Sequence, residues 1–141
     1  TVFGDVPKLL LNDGHYYVSN SLLSGFVKGA TAESVICRWY NSLTLLSIES
    51  TIHSLGGGTL VLIPGETDKL EILSLFPEER VKETYSIFSD YAKAHSAAEL
   101  YLLGDKIVLQ DIFRFTENDI KNLHSAIKEL RRWRNPENRR G

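Results

Sequence analysis

Methionine is absent from these 141 residues, cysteine occurs once, as Cys37, and no apolar run approaches the roughly 20 residues needed to span a bilayer. A lone cysteine excludes an internal disulfide and any cysteine-built metal cluster, so the fold has to rest on an apolar core. The composition can supply one, because 43% hydrophobic and 24% charged residues are ordinary for a soluble globular domain. Without a recognisable signal peptide or membrane segment, a reducing cytoplasm is expected. The chain opens at Thr1 inside an apolar phrase and has no Met, so we expect a piece of a longer protein, with residues 1–141 forming one domain. No internal repeat or low-complexity stretch divides it.

Several catalytic signatures are missing too. There is no Gly-x-Ser-x-Gly elbow, and Cys37 lies between Ile36 and Arg38 in helical surroundings, where a buried, inert thiol is the ordinary reading. His15, His53, His95 and His124 lack the spacing of a metal pair on one helix, so no metal is expected. Gly56-Gly57-Gly58 invites a phosphate-loop reading. However, it leads from helix into strand, and neither Lys nor Ser follows, which leaves a tight turn or a close approach of backbone to DNA.

Charge is unevenly spread over a net of -2. From Lys121 to Gly141, the cations Lys121, Lys128, Arg131, Arg132, Arg134, Arg139 and Arg140 face only Glu129 and Glu137. This basic end suits phosphate contact, and it equally suits a solvated helix terminus that complements the helix dipole.

Lys8–Leu11 and His15–Ser19 are β-prone runs flanking Asn12-Asp13-Gly14, which predicts a hairpin. Thr31 as a cap, with Val35, Trp39, Leu43 and Leu46 at helical spacing, predicts a long helix from about Ala32 to about His53. The glycine turn then leads into a buried strand, Thr59–Ile63, ended by Pro64-Gly65. Pro77 starts a helix carrying Val81, Tyr85, Phe88 and Ala92 inward and stopping near His95. Leu100–Phe115 fits a strand or a helix. Thr116 caps a final amphipathic helix with Ile120, Leu123, Ile127 and Leu130 on one stripe, ended by Asn135-Pro136. The order of elements predicts an α+β fold. Near its start, His15, Tyr16, Tyr17 and Asn20 could form a binding face, although strand alternation could equally put one tyrosine in the core and one outside.

Four phrases together resemble the C-terminal, target-recognition region of adenine-specific DNA methyltransferases of type II restriction-modification systems. They are Pro7-Lys8-Leu9-Leu10, Tyr16–Ser21, Tyr40–Leu46 with Glu49, and Gly56–Leu62 with Pro64 and Glu66. Leu130-Arg131-Arg132 is similar to that family's closing phrase. His53, Leu55 and Val61 depart from the Arg, Tyr and Glu that the family often carries at those places.

The resemblance implies a non-catalytic module behind a separate catalytic domain, which would bind S-adenosylmethionine and methylate an extruded adenine. The chain has no glycine-rich cofactor turn, and Asn135-Pro136-Glu137 lacks the second proline and aromatic ring of an adenine-holding loop. No cofactor is therefore expected within it. The expected partners are double-stranded DNA and the parent's own catalytic domain. Arg131, Arg132, Arg134, Arg139 and Arg140 would contact phosphates. Asn20, Asn41, Gly56, Gly57, Gly58 and Thr59 are candidates for closer approach, with a helix cap as the second reading of Asn41. The competing expectation is a structural or subunit-docking domain that barely touches DNA, favoured by the acidic body.

Overall fold

The computed structural model describes residues 2–3, 6–14, 16–54 and 59–135. Its architecture is mainly helical, with one two-stranded sheet and one isolated antiparallel bridge, Ser54 to Leu60, among the described residues. Strand β1 (Val2–Phe3) runs antiparallel to β2 (Leu60–Val61), pairing Val2 with Val61 and Phe3 with Leu60.

Helix α1 (Ala32–Trp39) starts as predicted, with the Thr31 hydroxyl accepting from Ser34 N at 3.2 Å. The single long helix does not form, because Asn41 adopts an extended conformation (φ -163, ψ 164) and begins a second one, α2 (Ser42–Thr51). Asn41 Oδ1 accepts from the amides of Leu43 and Thr44, while its Nδ2 donates to the Arg38 carbonyl at 2.8 Å. An Asx cap thus supplies bonds that an unbroken helix would have made with backbone.

The predicted hairpin does not form among the described residues either. Asn12 takes both backbone groups of Tyr16, donating to its carbonyl at 2.7 Å and accepting its amide at 2.9 Å. Upstream, the Tyr40 hydroxyl donates to Leu9 O at 2.6 Å and accepts from Leu9 N at 3.0 Å. Leu9's backbone groups are thereby satisfied without a partner strand. Tyr101 ties down the same extended segment through Pro7 O at 3.0 Å.

The Thr59–Ile63 run is a short edge, with Leu60 and Leu62 buried but Ile63 exposed, and Pro64 opens a helical turn, α3 (Pro64–Thr67). Helix α4 (Glu78–Tyr91) follows Pro77 and buries Val81 and Phe88. The ambiguous stretch is helical: α5 (Ala97–Gly104) runs into a π-helical segment, Asp105–Ile112. This segment closes through Phe115 N to Leu109 O at 2.8 Å, with Arg114 in the left-handed region (φ 62). Helix α6 (Glu117–Arg134) has the predicted Thr116 cap, reciprocated by Asp119, and buries Ile120 and Ile127.

α1 packs on α4, and α2 on α6. Between them Tyr40 meets Phe88 and Tyr101 edge-on, with ring centroids 5.8 and 5.2 Å apart. Gly104 fits against the α1–α2 junction so closely that a Cβ there would overlap the Tyr40 carbonyl oxygen and lie 2.6 Å from its carbon.

Candidate nucleic-acid interface

The basic C-terminal end is partly an internal structure. Glu49, carried on α2 with its side chain 1% exposed, receives Arg131 Nε at 2.6 Å and Arg134 Nη2 at 3.1 Å on Oε1. Arg134 Nε also lies 3.1 Å from Oε2, near enough to pair by charge although its N–H is poorly aimed for a hydrogen bond. A carboxylate this deep needs its cations, since an unpaired buried charge costs several kcal/mol, roughly 3–5. Arg131 and Arg134 are therefore spoken for inside the fold. Arg132, in contrast, is exposed and meets Glu129 at 3.7 Å across one turn.

The other predicted contact residues divide in the same way. Asn41 is fully buried and occupied as a cap, the second of its two expected roles, so its side chain cannot reach a duplex. Asn20 is exposed on a turn closed by Leu22 N to Ser19 O at 3.0 Å. Thr59 is half-buried, and its carbonyl accepts from the Ser54 hydroxyl. Gly56, Gly57, Gly58, Arg139 and Arg140 lie outside the described residues, as do His15 and the Pro136-Glu137 phrase.

Around Asn20 runs an extended arm. Tyr16, Tyr17 and Phe26 are 76%, 106% and 94% exposed, and Leu22 and Val27 also face solvent. Both tyrosines point outward, because without a strand there is no alternation to turn one inward. From Gly14 to Ala32 the sequence has no Asp or Glu, and Lys28 is its one Lys or Arg. The tyrosines were legible in the sequence as candidates. Phe26 was missed because a lone aromatic among small residues gives no periodic signal.

A second polar cluster ties three elements together. Asp105, 3% exposed, accepts from Ser42 N at 2.7 Å, from the Ser42 hydroxyl at 2.6 Å and from His124 Nε2 at 2.7 Å. Serine, aspartate and histidine here do not form a nucleophilic relay, since the carboxylate stands between the other two and the imidazole does not reach the hydroxyl. Sequence reasoning passed over this cluster because its members are 63 and 19 positions from Asp105.

Elsewhere, titratable groups are structural. The Cys37 thiol is buried, donates to Val81 O at 3.6 Å, and is pushed up to about 12 by desolvation and by Glu33. Burial likewise raises the Tyr40 phenol to about 12. His53 pairs with Glu66 at the surface. Among the described residues, no group of three or more His, Cys, Asp and Glu could hold a metal ion, and no helix is long and apolar enough to cross a membrane.

A family model described as Type II methyltransferase M.Eco57I, C-terminal domain, matches residues 2–109. That range holds the arm, the α1–α2 junction and the Gly56–Gly58 stretch, and it ends before α6 begins. No curated protein and no solved structure matches the chain significantly.

Proposed function

The chain belongs to the family of C-terminal domains of Type II methyltransferases represented by M.Eco57I, and from that premise we propose that it is a non-catalytic, DNA-facing target-recognition module. Its parent would be an adenine-specific, S-adenosylmethionine-dependent DNA methyltransferase of a restriction-modification system, acting in the cytoplasm. The methyl donor and the extruded adenine belong to the parent's catalytic domain in this reading. This module helps select the site.

The exposed arm is the observation that carries it. Fully exposed aromatic rings are costly to leave in water and are common where a surface meets a partner. Here they flank Asn20, whose amide matches the donor-acceptor pair of adenine in the major groove. A stretch from Gly14 to Ala32 free of carboxylates can approach phosphates without repulsion. Arg132, Thr59, Gly56, Gly57, Gly58, Arg139 and Arg140 stay in the proposed contact set. Asn41, Arg131 and Arg134 leave it, because the fold uses their side chains internally.

One observation favours the second reading, a docking domain: the aliphatic residues Leu10, Leu22 and Val27 are exposed beside the aromatics, as at a protein interface. Fluorescence anisotropy of the chain with mixed-sequence duplex, at low and at physiological salt, separates the two. DNA recognition predicts weak, salt-sensitive binding that drops further in a Tyr17→Ala/Phe26→Ala variant of unchanged circular dichroism. Absence of binding even at low salt would remove the proposal and leave docking to the catalytic domain.

A further inference from the structure

The solvent side of α6 is built as a cationic row. Lys121, His124 and Lys128 follow one another at three- and four-residue spacing, Arg132 continues the row four residues on, and all four are exposed. The eleven helical steps from Lys121 to Arg132 extend about 16 Å. At a rise of 3.4 Å per nucleotide, that length runs beside about five phosphates of one strand. Ile120 and Ile127 hold the neighbouring face in the core, which fixes the row along the flank of the buried stripe.

His124 differs from the lysines in being held at its base. Its Nε2 is engaged by Asp105, and the Asp105 carboxylate is itself fixed by the amide and hydroxyl of Ser42 at the start of α2. The bond to Asp105 puts a proton on Nε2 and fixes the orientation of the ring.

We propose that this face of α6 is a phosphate-contact surface, with Lys121, Lys128 and Arg132 as its cations and His124 held among them by Asp105. The inference rests on the DNA-facing reading above and adds the surface through which the backbone is held. It also transfers the phosphate role from Arg131 and Arg134, which Glu49 occupies. The charged groups around His124 are Lys121, Lys128 and, two turns back, Glu117 on its own helix. From the π-helical segment comes Asp105, while Glu49 on α2 is paired with Arg131 and Arg134. Glu129 offsets Arg132 in part.

The test measures the affinity of the full chain for mixed-sequence duplex DNA against salt. Each phosphate contact adds about 0.9 to the slope of log affinity against log salt, so Lys121→Gln/Lys128→Gln should lower the slope by about 2. At low salt it should also weaken binding about tenfold. Both substituted lysine side chains are exposed, and thermal melts verify that the variant stays folded. An unchanged slope in the double lysine variant overturns the inference while leaving DNA recognition standing. No DNA binding by wild-type chain at any salt overturns both.

Discussion

Glu49 offers the sharpest perturbation, because its carboxylate is 1% exposed while its partners Arg131 and Arg134 are 35% and 11% exposed. Glu49→Gln keeps the volume and removes the charge. Arg131 can then turn toward water, but Arg134 is left as a buried guanidinium with no anion, a situation that costs about 3 kcal/mol. For a chain of this length, that corresponds to about 10 °C in Tm. Urea denaturation followed by tryptophan fluorescence, where Trp39 is buried, reads the loss directly. The second arm is a cycle with Arg134→Met, which fills the space with an uncharged side chain. If the charge pairing is what matters, the double variant recovers much of the loss, with a coupling of about 2 kcal/mol. A Glu49→Gln cost below about 1 kcal/mol, or simple additivity in the cycle, would refute the reasoning. The same logic warns that DNA-binding losses in Arg131 or Arg134 variants report damage to the fold before they report lost phosphate contacts.

Three further outcomes follow from local geometry. Gly104→Ala drives a methyl group into the Tyr40 carbonyl, backbone against backbone, and should cost several kcal/mol, at least about 3. Gly65→Ala, with no atom within 4 Å, should be neutral or slightly stabilising by the same thermal melt. Asp119, whose acidity is strengthened chiefly by its hydrogen bond from the Thr116 hydroxyl and then by the Thr116 amide, contributes stability that is present above the usual carboxylate range. That contribution should fade as pH falls through the lowered folded value, so Asp119→Ala should be less stable than wild-type at neutral pH and indistinguishable from it in strong acid, as measured by urea midpoints.

Local chemistry made several parts legible in the sequence. The Thr31 and Thr116 caps, the helix after Pro77 and the apolar stripe of α6 depend on residues within a turn or two of one another, and all stand where the pattern put them. The membership of the family was also visible, in short phrases from Pro7 to Glu66, before any fold was known. The exposure of Tyr16 and Tyr17 was open, because it turned on whether a hairpin existed.

Tertiary structure decided the remainder, for a physical reason that recurs. The break at Asn41, the extended course of Pro7–Leu11 and the closeness of Gly104 to Tyr40 each depend on partners distant in the chain, on α5, the π-helical segment or a tyrosine hydroxyl. The division of the basic end was settled in the same way. Seven cations counted along the sequence look equivalent, and only the packing of α2 on α6 brings Glu49 to Arg131 and Arg134 while leaving Lys121, Lys128 and Arg132 in solvent. Sequence fixes how many charges a segment carries, whereas the dielectric and the partner that each charge meets exist only once helices from opposite ends of the chain have packed.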